Sequence, residues 1–146
     1  MGRSILAVIA GYVVMAVLVI AGFFALLSAM GADWAFKPGT YQASTRWALA
    51  SCVIGLAAAI IGGFVCARIS TSQQPPRALA VFVFVMGIAF AIPILTSDAA
   101  PMPRLSGATD FEKMGEGVQP AWVALLNPVI GAVGVLIGAR LRKRPG

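Results

Sequence analysis

Polar residues in this chain are gathered into a few short stretches, and four long apolar runs lie between them. The runs extend from about Ser4 to Met30, Thr45 to Ile69, Arg77 to Leu95 and Pro120 to Leu141, with no Asp, Glu, Lys or Arg inside any of them except near the ends. A hydrocarbon core about 30 Å thick asks for about 20 apolar residues, each rising about 1.5 Å along a helix. Each run comes close to or exceeds that length, so the pattern predicts four transmembrane helices, at about residues 4–30, 45–69, 77–95 and 120–141. The first is longer than required and is expected to tilt or project from the lipid. At about 26 residues it also exceeds the roughly 7–15 of a signal-peptide core, so it is read as a retained helix.

The remaining stretches become loops, 31–44 and 96–119 on the outer side and 70–76 on the inner side. Pro38–Gly39 marks a turn, and Pro75–Pro76 should stiffen the short inner connection. The run Thr109-Asp110-Phe111-Glu112 has the spacing of a capping box, which predicts a short helix from Asp110 to about Met114, stopped by Gly115 and Gly117. The expected fold is therefore all-α: one transmembrane domain over residues 1–146, a four-helix bundle running up-down-up-down.

Charge adds the orientation. Arg3, Arg68, Arg77, Arg140, Arg142, Lys143 and Arg144 fall on the side of the chain ends, with no acid among them. Lys37, Arg46, Arg104 and Lys113 fall on the other side together with every acid, Asp33, Asp98, Asp110, Glu112 and Glu116. Basic residues accumulate on the cytoplasmic side of a membrane, so both termini are expected in the cytoplasm and the protein in the inner (cytoplasmic) membrane. Trp34, Phe36, Tyr41, Trp47 and Trp122 lie at or near the outer boundary, where an aromatic belt is expected. Arg68, Arg77, Arg140, Arg142, Lys143 and Arg144 are candidates for headgroup contact and for setting topology.

Composition agrees with the pattern and narrows the function. Hydrophobic residues make up 60% and charged residues 11%, against about 25% charged in a soluble domain. The formal charge of +6 is spread over the helix ends rather than along a basic face with interleaved aromatics, so nucleic acid is not expected as a partner. Cys52 and Cys66 share one run and would lie about 21 Å apart on a helix, too far for a disulfide.

Apolar helices gain no hydrophobic energy by meeting in lipid, so close backbone packing has to hold them together. Ser51, Gly55, Ala59, Gly63 and Ala67 recur every four residues in the second helix, a continuous ridge of small side chains. Asn127, Gly131, Gly134 and Gly138 form a second small-residue stripe in the fourth. These two surfaces are the candidate packing faces, within the chain or toward another one. The same two helices share a leading tryptophan (Trp47, Trp122), an Ile-Gly pair (Ile54-Gly55, Ile130-Gly131) and a closing Ala-Arg (Ala67-Arg68, Ala139-Arg140), a weak sign of two related hairpins.

Polar groups at depth in a membrane are costly and mark function. Here they are scarce. Asn127 is followed by Pro128, whose ring displaces a helical hydrogen bond to Ala124, and Pro93 lies at a comparable depth in the third helix. The three outline a candidate pocket. Tyr12 is expected to direct its hydroxyl toward headgroups.

The chain contains no histidine, no Cys-x-x-Cys, no intramembrane carboxylate and no phosphate-binding glycine loop. An imidazole base or ligand, dithiol exchange and a cycling membrane carboxylate are thus excluded. No cofactor or metal is expected, and no enzyme. The acids at 110, 112 and 116 are too sparse for a calcium loop. The leading expectation is a non-enzymatic membrane component, in contact with lipid, that associates with itself or with a larger complex through small-residue helix faces. The alternative is an oligomeric pore or small-molecule carrier built round the Asn127–Pro128 kink.

Overall fold

The computed structural model describes residues 2–96, 103, 107 and 109–142; Asp98, Arg104, Lys143 and Arg144 fall outside them. Among the described residues six helices follow in order: α1 Gly2–Met30, α2 Ala32–Ala35, α3 Thr45–Ile69, α4 Gln74–Thr96, α5 Asp110–Gly115 and α6 Ala121–Leu141. Four of them, α1, α3, α4 and α6, are long and apolar enough to cross a membrane. The fold is an all-helical four-helix bundle of membrane type. α4 starts at Gln74, earlier than the boundary at 77. Pro75 and Pro76 occupy its first turn, where a missing N–H costs nothing, and both are buried.

α3 and α6 form the central pair; α1 lies against α3 and α4 against α6, with lighter contact between α1 and α4. Burial follows that order. In their most apolar stretches α3 and α6 are 33% and 39% buried, against 17% in α1 and α4. Between the helix ends the outward faces are apolar, as lipid requires. Ile5, Ile9, Val13 and Val17 make a four-residue stripe on α1, and Leu49, Val53 and Ile61 mark the narrower outward edge of α3.

Glycine sets the central seam. A Cβ placed on Gly63 would fall on the Val135 carbonyl, and one on Gly138 on the Ile60 carbonyl. One on Gly134 would stand 2.6 Å from the Ala59 Cβ. Backbone meets backbone here because no side chain intervenes. The two contacts are counterparts: Gly63 and Gly138, Ile60 and Val135, and also Trp47 and Trp122, are each 75 positions apart. Since α3 and α6 run in the same direction, the seam reads alike from either helix.

Two departures from the small-residue pattern are instructive. Gly131 faces Val83 of α4, 2.7 Å from a would-be Cβ, rather than α3. Gly55 has no heavy atom within 4 Å of that position, so the contact along the α3 ridge is interrupted there, between the buried Ser51 and Ala59. A further close crossing joins α1 to α3. The Cβ of a residue at Gly11 would meet Cys66 at 2.8 Å and the Gly62 carbonyl at 2.9 Å, and one at Gly62 would meet the Gly11 carbonyl at 2.7 Å.

On the face opposite the chain ends, the 31–44 connection folds into a cap. Ser44 closes the N-terminus of α3 by accepting from the Trp47 amide at 3.1 Å, and its hydroxyl donates to the Trp34 carbonyl at 2.7 Å. Gly39, at φ 71°, makes the turn beside Pro38. Isolated bridges tie Phe36 to Ala43, Thr40 to Pro103 and Gln42 to Val118. Thr109 and Glu112 form the reciprocal capping box that opens α5. Beneath this cap Leu27, Ala35, Phe36, Tyr41, Ala43 and Trp47 pack into a buried cluster. Of the residues expected in an aromatic belt, Phe36, Tyr41 and Trp47 are therefore interior, with rings 5.7 Å (Phe36–Tyr41) and 6.1 Å (Phe36–Trp47) apart. Trp122 is exposed.

Candidate functional site

The candidate trio of Pro93, Asn127 and Pro128 is not brought together. Pro128 is buried against Gly87, whose would-be Cβ lies 2.9 Å from its ring. Pro93 is six residues further along α4, which rotates it about 240° around the helix from that contact, and it is exposed. Asn127 donates its amide to Gln119 Oε1 at 3.3 Å instead of lining a cavity with the prolines. A side chain eight residues earlier thus partners the Asn127 amide.

Other polar groups at depth are also occupied locally. Ser51, 3% exposed, donates to the Ala48 carbonyl in its own helix at 2.7 Å. Tyr12 packs its ring edge-on to Phe82, with centroids 5.1 Å apart, beside the core formed by Ala7, Cys66 and Leu79. Cys52 and Cys66 are free thiols. Among the described residues no group of His, Cys, Asp or Glu is placed to hold a metal ion.

Among the described residues, a cavity lies toward each end of the bundle. Under the cap, Phe23, Phe36, Trp47, Met114, Gly117 and Gln119 surround a space of about 60 Å³. That is room for a few waters at most. Beside it Glu112 accepts from the Thr109 amide and hydroxyl, both at 2.7 Å, and these bonds hold its carboxyl below the ordinary glutamate range.

The face that carries the chain ends holds a much larger opening, an amphipathic cleft of about 1050 Å³. Its walls come from the end of α3 (Ala67), the connection to α4 (Thr71, Ser72, Gln73), the first turn of α4 (Pro76, Arg77) and the end of α6 (Leu136, Ala139, Arg140, Arg142). The fold assembles it because α3 and α6 both terminate here while α4 begins here. Arg142 is the tie. Its Nη1 donates to the Ser70 carbonyl at 2.7 Å and also to the Ala67 carbonyl, serving groups that the end of a helix leaves unpaired. Ser70 completes the stop, its hydroxyl donating to the Ser72 carbonyl at 3.0 Å. Arg68 points elsewhere, its guanidinium 5.0 Å from the Phe64 ring centroid.

Of the basic residues singled out in the sequence, the structure gathers Arg77, Arg140 and Arg142 and leaves Arg68 aside. Arg77 and Arg142 are 65 positions apart, so no local spacing announces the cleft; its only trace in the sequence is the lack of acid at this end. Gly11 and Gly62 were likewise not singled out, although a glycine in each of two apolar runs was the available signal. Comparison with family models, with curated proteins and with solved structures finds no match for this chain.

Proposed function

We propose that this protein is a non-enzymatic structural or accessory component of the inner membrane, with both termini in the cytoplasm. It acts as a prebuilt four-helix unit that meets lipid and a membrane partner on its outward faces. The observation that carries this reading is the use of small residues. Gly63, Gly134 and Gly138 are consumed by the α3–α6 seam and Gly131 by α4, so the bundle is held from within. Gly55 is the member of the ridge left open: no atom lies within 4 Å of its would-be Cβ, although Ser51 and Ala59, one turn to either side, are buried. Association with a second copy or with a larger complex uses the gap at Gly55, where a missing side chain lets another helix approach closely.

The excess of basic residues on the side of the chain ends supports the orientation. A pore built on Asn127 and Pro128 has less support, since Asn127 is already bonded to Gln119 and Pro93 faces outward.

Native mass spectrometry of the protein extracted with its surrounding lipid tests the proposal. The expected result is a defined assembly that is lost in Gly55→Leu while helicity is unchanged. A wild-type chain that emerges alone, or an assembly indifferent to Gly55→Leu, would sink this reading.

A further inference from the structure

We propose that the cleft at the terminal face binds the phosphate group of an anionic phospholipid, with Arg77 and Arg140 as its ligands and Arg142 as the strut that holds the cleft open. The three arginines have different surroundings. Arg142 is spent on the Ala67 and Ser70 carbonyls, so its charge lies against the negative end of α3. Among the described residues, Arg77 and Arg140 have no hydrogen-bond or ion-pair partner, and no acid lines the cleft. Two guanidinium groups in one opening, on different helices, form a site for a phosphate, which accepts the forked hydrogen bonds that guanidinium donates.

The walls favour a lipid over a soluble anion. Leu136 lies one turn from Arg140 toward the middle of the membrane and, with Ala67, Ala139 and Pro76, lines the cleft with apolar surface beside the arginines. Thr71, Ser72 and Gln73 supply neutral hydrogen-bonding groups on the opposite, wet side. A ligand that spans this gradient carries a phosphate and ester at one end and hydrocarbon at the other. Basic openings between helices at the cytoplasmic surface are where lipid headgroups of this kind are held. At about 1050 Å³ the cleft is large enough for a headgroup and the first part of its chains, since clefts for small molecules run to roughly 1,000 Å³.

The test uses the full chain in nanodiscs that mix phosphatidylglycerol with phosphatidylcholine, reading retained lipid by native mass spectrometry after gentle release. Wild type should retain phosphatidylglycerol selectively, and Arg77→Gln with Arg140→Gln should lower that retention by roughly 30-fold. The pair Arg77→Lys with Arg140→Lys keeps the charge and should retain an intermediate amount, which separates loss of binding from loss of fold. Arg68→Gln, outside the cleft, should change nothing. Equal retention in the double glutamine variant, or an equal loss in Arg68→Gln, would overturn the site. Displacement of the lipid by inorganic phosphate at millimolar concentration would overturn the lipid as its occupant and assign the cleft to a free anion.

Discussion

Replacing glycine by alanine at two places in α3 should move stability in opposite directions. At Gly63 the new methyl falls on the Val135 carbonyl, with the Val135 Cα at 2.7 Å and its carbonyl carbon at 2.8 Å. All three are backbone atoms, so no rotamer change relieves them. α3 and α6 must separate by about 1 Å, and a gap of that size forfeits a quarter to a half of each pair contact along the seam. Overpacking of this kind costs about 1–3 kcal/mol, and lost Cα–H···O contacts add about 0.5–1 kcal/mol each. The helix preference for alanine returns about 1 kcal/mol, leaving a net loss of about 2 kcal/mol. At Gly55 no atom lies within 4 Å of the methyl, so only the helix term remains and the variant gains up to about 1 kcal/mol. Unfolding titrated with sodium dodecyl sulfate in mixed micelles, followed by circular dichroism, reads both. If Gly63→Ala matches the wild type, or if Gly55→Ala falls with it, the seam is not held by backbone approach and the reasoning is wrong.

Four further outcomes are expected. Thr109→Ala removes the capping box of α5, costs about 1 kcal/mol locally and speeds exchange of the Lys113 amide, which donates to the Thr109 carbonyl at 3.0 Å, by roughly fivefold. Because the Glu112 carboxyl is held below its ordinary range, the stability it lends α5 is complete above the unfolded value near about 4.3. That stability is lost as pH falls through the lowered folded value, so Lys113 exchange corrected for intrinsic rate should accelerate only in acid. Arg142→Ala frees the Ser70 carbonyl and leaves the Ala67 carbonyl only the long bond from the Ser70 hydroxyl; it lowers bundle stability by about 1 kcal/mol, discounted for partial exposure, in the same detergent titration. Asn127→Leu removes a single bond to Gln119 and costs about 0.5–1 kcal/mol, while passive solute flux across proteoliposomes stays at the wild-type value; a fall in flux would restore the channel reading.

The membrane architecture was legible because its cause is one-dimensional. Length and apolarity decide whether a segment spans, and the four runs could be read directly from the chain. The α5 helix was legible for a related reason, since a capping box lies within four consecutive residues, Thr109 to Glu112. The boundary of α4 was missed because Pro75 and Pro76 break a helix in its interior yet begin one without penalty. Which small residues meet which helix was not legible. Ser51, Gly55, Ala59, Gly63 and Ala67 share one spacing, and only the placement of neighbours decides that Gly63 meets the α6 backbone while Gly55 meets nothing within 4 Å. The pocket expectation failed on the same point: Pro93 and Pro128 share a depth but not a facing direction. The basic cleft required residues from α4 and α6 to meet, and their partnership depends on packing that no local pattern encodes.

The seam of α3 on α6 also fixes what this bundle can do mechanically. If α3 slid by one turn along α6, Ala59 or Ala67 would replace Gly63 over the Val135 carbonyl, and each carries the methyl for which that position has no room. Gly138 imposes the same restriction from the other helix, over Ile60. The pair therefore has one register and behaves as a latch rather than a piston. A signal carried by sliding one helix past another would stop at this crossing, and any motion the protein transmits must carry α3 and α6 together.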